Sequence, residues 1–106
     1  MIKQYGFIVK ADNYDFHHDK TTMSTADFTT NTVGVSCDDD AILVAQKMIE
    51  DGVQVIELCG AFGAESADYI ISCLDANIPI GYVTFSKNEN QKLERILAGN
   101  SELQQA

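Results

Sequence analysis

The sequence predicts an α/β fold: a four-stranded, mainly parallel sheet with helices packed on it. Three observations lead there. Four short runs are rich in β-branched and aromatic residues, and from residue 36 onward they alternate with segments whose apolar residues recur at helical spacing. The helical segments end at glycine, or at Asn and Pro. The resulting order, strand–strand–helix–strand–helix–strand–helix, contains two consecutive strand–helix–strand units, which impose parallel pairing and right-handed crossovers.

Taken in order, residues 5–11 (Tyr-Gly-Phe-Ile-Val-Lys-Ala) read as the first strand. The stretch from Asp12 to Thr25 is polar, has no period and reads as a long loop, a kind of segment that in compact domains is usually functional or mobile. A second strand covers about Phe28 to Val35. Ser36 followed three residues later by Asp39 forms a capping-box pattern, and the acidic run 38–40 suits the positive end of a helix dipole. Ala41, Val44, Ala45 and Met48 form the apolar stripe of that helix, flanked by Ile42 and Ile49, with Gly52 as its stop. The third strand is 53–59. Gly60-Ala61-Phe62-Gly63 turns it into a second helix carrying Ala67, Ile70, Ile71 and Leu74 on one face and ended by Asn77 and Pro79. The fourth strand is 80–85. The last helix spans Glu89 to Ala98, with Leu93, Ile96 and Leu97 on its stripe and Gly99 as its stop. One domain over 1–99 and a frayed tail over 100–106 follow, while the direction of the first strand is left open.

With 106 residues, 45% of them hydrophobic, the chain can form one core without disulfide or metal staples. A net charge of −9, from 16 acidic against 7 basic residues that form no cluster, argues against nucleic acid and against an anionic membrane surface. The N-terminus lacks the apolar segment of a signal peptide, and no stretch approaches the roughly 20 apolar residues that cross a bilayer. Cys37, Cys59 and Cys73 are odd in number and form no CxxC pair, so a cytoplasmic, reducing setting with free thiols is expected.

Ligands of open parallel sheets bind at the carboxyl ends of the strands. That edge gathers Ser36 and Cys37, the turn Gly60-Ala61-Phe62-Gly63, and Thr84, Ser86 and Lys87; if the first strand is parallel, His17 and His18 join it. The two glycines allow close backbone approach at a helix start, which favours an anion. They equally suit a tight turn that needs glycine for geometry alone, and the full GxGxxG and Walker patterns are both missing. Cys59, ending a strand near a helix start, has the position of a nucleophile or of a small buried hydrophobe. Glu57 is the acid in an otherwise apolar strand: covered, it would serve as general acid or base; facing outward, it would be a solvated or ion-paired side chain. Phe62 and Tyr82 would wall a ligand, although core packing is the default for both. His17 and His18, with Asp12 or Asp15, lack the fixed spacing of a metal site, so a solvated loop is the favoured reading and no metal is expected.

The run from Asp51 to Gly63, and above all Glu57-Leu58-Cys59-Gly60-Ala61-Phe62-Gly63, resembles the signature of a family of small prokaryotic α/β proteins known only as a domain of unknown function. Thr32-Val33-Gly34-Val35 and Ile78-Pro79-Ile80-Gly81 are similar too, so the resemblance covers roughly residues 5–84. It implies no activity and no cofactor, and it directs attention to the glycine turn. The function therefore stays open among three classes. The first is a binding module for an anionic small molecule at the carboxyl edge, using Gly60, Ala61, Phe62, Gly63, Thr84, Ser86 and Lys87. The second is an enzyme on a small metabolite, using Glu57 or Cys59. The third is a ligand-free unit that acts as a homo-oligomer.

Overall fold

The structure, a computed structural model, describes the backbone of residues 1–105 and the side chains of residues 1–99. The frayed tail expected over 100–106 falls largely on Ala106 and on side chains outside the described residues. The elements are β1 (Gln4–Lys10), β2 (Lys20–Ser24), β3 (Thr29–Val35), α1 (Asp38–Glu50), β4 (Val55–Leu58), α2 (Gly63–Leu74), β5 (Ile80–Tyr82) and α3 (Lys87–Gln105). They build one five-stranded sheet in the order β2-β3-β1-β4-β5. β1 lies between β3 and β4 and runs parallel to both, β5 is parallel to β4, and β2 is antiparallel to β3.

The sheet thus has five strands where four were expected, and the addition lies inside the stretch read as a loop. Lys20–Ser24 is exposed along its whole length, so it carries no apolar alternation to reveal it. Backbone pairing holds it at the edge, helped by cross-strand contacts from Thr22 Oγ1 to Asn31 Oδ1 (2.8 Å) and between the hydroxyls of Ser24 and Thr29 (2.8 Å). Thr25 closes the hairpin: its hydroxyl accepts the amides of Asp27 and Phe28 at 3.2 and 3.1 Å.

Both crossovers, β3-α1-β4 over β1 and β4-α2-β5, advance across the sheet in the same direction. Right-handed connections therefore place α1 and α2 side by side on one face. α1 packs on β1 and β3, and α2 on β5. Ile8, Val35, Ile56 and Leu58 point into this layer against Ala41, Val44, Ala45, Met48, Ala67 and Ile70. The opposite face, with Tyr5, Phe7, Val9, Val55 and Glu57, carries no helix, and its apolar residues stay half-buried.

The stripe predicted for α1 is the stripe that is buried. The predicted cap is not formed: Cys37 occupies the N-cap position and its side chain makes no capping bond. At the other end Gly52, at φ +95°, terminates the helix in a Schellman motif, with its amide donating to Ile49 O (3.1 Å) and the Val53 amide to Met48 O (2.9 Å). α2 stops before Asn77 because Asp75 turns left-handed at φ 44°. α3 runs on through Gly99 and packs extensively on none of the other elements. The radius of gyration, 15.3 Å, exceeds the roughly 13 Å of a compact domain of this length for that reason.

Candidate functional site

β1, β3, β4 and β5 all deliver their carboxyl ends to one edge, where the helices α1 and α2 begin. The residue at its centre is Lys10, which the sequence reading passed over because a lone lysine after an apolar strand has no pattern. Its ammonium pairs with Asp38 Oδ1 at 2.8 Å and lies 4.8 Å from the centroid of the Phe62 ring, while its amide donates to Cys59 Sγ at 3.3 Å. Burial pushes the Asp38 carboxyl up, but hydrogen bonds from Lys10 and Ser66 and the charge of Lys10 outweigh it and hold the group below the ordinary carboxylate value. Lys10 is therefore already neutralised, and it clamps β1 to the first turns of both helices.

The expected site residues distribute around this clamp. Gly60 lies against the end of β5, with Val83 O 3.5 Å from where a Cβ would stand, and Gly63 takes φ +71° as α2 begins. Ala61 is exposed between them. Phe62 is 5% exposed and belongs to the core instead of walling an open cavity. Tyr82 is half-buried against that core. Thr84, Ser86 and Lys87 are exposed in the connection to α3 and at its start. Cys59 is half-buried, while Cys37 and Cys73 are exposed.

Glu57 takes the outward alternative. It is exposed on the helix-free face and accepts a hydrogen bond from Tyr5 Oη at 2.9 Å. Burial, that bond and the Glu57 charge together push the Tyr5 phenol up to about 12. The expected result in an ultraviolet titration is a Tyr5 phenolate that appears near pH 12 in the native chain. In Glu57→Gln it should appear closer to the ordinary value of about 10. The contribution of this contact to stability is present below pH about 10 and lost as the pH rises through the folded value. An unchanged Tyr5 titration in Glu57→Gln would show that burial alone sets it.

The 11–19 loop is an ordered turn. Asp15 Oδ1 accepts the amide of His17 (3.0 Å), Asp15 O accepts those of His18 (3.0 Å) and Asp19 (2.7 Å), and Asp19 Oδ2 accepts the amide of Asp15 (2.7 Å). The two histidines then part. His17 lies tilted against Phe16, with centroids 4.3 Å apart and planes at 35°, and lines a groove on the helix face; His18 lines a cavity on the open face. Among the described residues no three His, Cys, Asp or Glu side chains converge in a way that could hold a metal ion.

The groove is the larger of these two spaces, at about 550 Å³. It arises because two helices, about 10 Å wide each, cannot cover five strands spaced about 4.8 Å apart, so a strip over β2 and the outer half of β3 is left beside α1. Phe16, Val33, Val44, Met48 and Val53 form an apolar floor; Thr22 and Asn31 add polar groups; His17, Lys20 and Lys47 stand around it. Lys47 pairs with Asp51 at 2.9 Å, which raises its pKa through that hydrogen bond and the Asp51 charge, whereas Lys20 makes no ion pair among the described residues. Lys20 and Lys47 against Asp51 leave one net positive charge in the lining, in a chain whose overall charge is −9. The second cavity, about 380 Å³, lies across the edge strand, where the Tyr14 ring covers Gly34 so closely that a Cβ there would meet it at 2.7 Å.

The model of the family of unknown function DUF6506 matches residues 3–98. The chain belongs to that family. Membership extends beyond the 5–84 span carried by the sequence motifs, taking in the start of β1 and the first turns of α3. No curated protein and no solved structure matches the chain. Among the described residues no helix is long and apolar enough to cross a membrane.

Proposed function

We propose that this DUF6506 protein is a small-molecule binding module, and that its ligand is an organic anion with an apolar body held in the groove between α1 and β2–β3. The observation that carries this reading is the lining itself. A volume of about 550 Å³ falls within the range of about 300–1,000 Å³ typical of ligand sites, and an apolar floor with a few convergent polar groups is their usual chemistry. Lys20, which makes no ion pair among the described residues, supplies the charge for a carboxylate or phosphate; Thr22 and Asn31 orient it; Met48 and Val44 meet the apolar part. The ligand class is the one expected from the glycine turn, and the groove adds to it an apolar floor of Phe16, Val33, Val44, Met48 and Val53.

The test is a thermal-shift screen of carboxylates and phosphate monoesters, followed by calorimetry. A ligand at 100 times its dissociation constant should raise the melting temperature by about 10 °C. Lys20→Glu should weaken it by about 10- to 100-fold, the worth of one charge-assisted hydrogen bond. Gly63→Asp should leave it unchanged. Binding lost in Gly63→Asp and kept in Lys20→Glu would move the site to the β4–α2 turn.

A further inference from the structure

The cavity on the open face of the sheet has a floor of two rows. In the first, Gly34 of β3 stands beside its register partner Val9 of β1 and beside Asp19, whose carbonyl accepts the Gly34 amide at 2.8 Å. In the second, two residues back along β3, Thr32 stands opposite Thr21 of β2. The Tyr14 ring lies on the first row. A Cβ at Gly34 would meet its Cγ at 2.7 Å and both Cδ atoms at 2.9 Å, so one face of the ring rests on the glycine. The ring is 40% exposed, which leaves its other side to solvent. A glycine inside a strand weakens it and marks a close approach, and here the approach is this ring. The bonds between Asp15 and Asp19 fix the loop immediately after Tyr14, and His18 enters the same cavity.

We propose that this cavity, about 380 Å³, binds a neutral polyhydroxylated ring, the chemistry of a monosaccharide or a cyclitol. The lining matches such a ligand in kind. Tyr14 offers an aromatic surface to the C–H face of the ring. The hydroxyls of Thr21, Thr32 and Tyr14 and the His18 imidazole make no hydrogen bond among the described residues, and each hydroxyl can both donate and accept. Asp19 is the carboxylate of the lining: its Oδ2 accepts the Asp15 amide at 2.7 Å, and its Oδ1 is left to accept from a ligand hydroxyl. Its charge disfavours the organic anion proposed for the groove. Lys20 lines both spaces, but it shares the helix face with its register partner Val33, so its ammonium serves the groove. A small organic cation would use Tyr14 and Asp19 and make no use of the two threonine hydroxyls.

Amide-resolved NMR titrations of the full chain test this with methyl α-glucopyranoside, methyl α-galactopyranoside, methyl α-mannopyranoside and myo-inositol. At least one of these should move the amides of Thr21, Thr32 and Gly34 saturably, and its identity tells a sugar from a cyclitol. Tyr14→Ala should raise the dissociation constant at least about tenfold. Thr32→Val, which keeps the shape of the side chain and removes its hydroxyl, should raise it about three- to tenfold. Both variants should keep the wild-type circular dichroism, because neither side chain belongs to the buried core. No saturable shift with any of these polyols, or a dissociation constant unchanged in either variant, would overturn the site. So would tetramethylammonium moving these amides where the polyols do not, which is the result of a cation site. Neither Tyr14 nor Thr32 lines the α1 groove, so failure here leaves organic-anion binding there as it stands.

Discussion

Ile8→Ala is expected to lower the stability of the chain by about 2–5 kcal/mol, and the melting temperature by about 10–20 °C. Ile8 is fully buried at the middle of β1, the central strand, with Val33 beside it on β3 and Leu58 on β4. Its side chain enters the layer that α1 and α2 close, so truncation removes apolar contact and leaves a cavity that a sheet paired on both sides cannot collapse. Domains of this kind are stable by only about 5–15 kcal/mol, so one such change takes a large share. Urea melts of wild type and variant measure it. A loss under about 1 kcal/mol would mean that the helix layer is more plastic than its packing indicates. Val9→Ala, on the same strand but facing the open side, is the matched control and should cost about 1 kcal/mol or less in the monomer.

Phe62→Ala is expected to cost about 3–5 kcal/mol, because the ring is 5% exposed and ties the β4–α2 turn to the core. The Lys10 ammonium, 4.8 Å from the ring centroid, adds a coupling of about 0.5–2 kcal/mol. A double-mutant cycle with Lys10→Met isolates that part. This experiment also decides the role of the residue. If Phe62→Ala left stability intact and removed ligand binding, Phe62 would belong to a site at the turn and the buried-core account would fail.

What was legible in the sequence was whatever leaves a period. The α1 stripe of Ala41, Val44, Ala45 and Met48 is legible because burial on one helix face repeats every three or four residues. The Gly52 stop is legible because the Schellman motif requires a left-handed residue. β2 was hidden because an edge strand exposed throughout has nothing apolar to alternate. Ser36 matched the capping pattern, but the helix took Cys37 as its cap, so spacing alone misplaced it by one residue. The groove was illegible for a different reason: His17, Lys20, Asn31 and Lys47 come from a loop, two strands and a helix, and they meet only through the 2-3-1-4-5 strand order. The carboxyl edge itself was found, yet its central cation, Lys10, was missed and is neutralised by Asp38.

The place of β1 in that order also bears on how the chain acquires its structure. Of these five strands, the first to leave the ribosome is the one both of whose edges must be filled by later sequence: Tyr5 pairs with Thr30 on one side and with Val55 on the other. A nascent chain that has passed β3 therefore still carries an apolar strand with one bare edge until β4 emerges, and such an edge is a template for pairing with another chain. Long-range closure of this kind slows folding, because the entropy of bringing residues 5 and 55 together is lost before any contact between them is gained. The polar, fully exposed β2 on the outside of β3 then has a kinetic meaning. It closes the other edge early, through a local hairpin, and leaves a single docking position for β4.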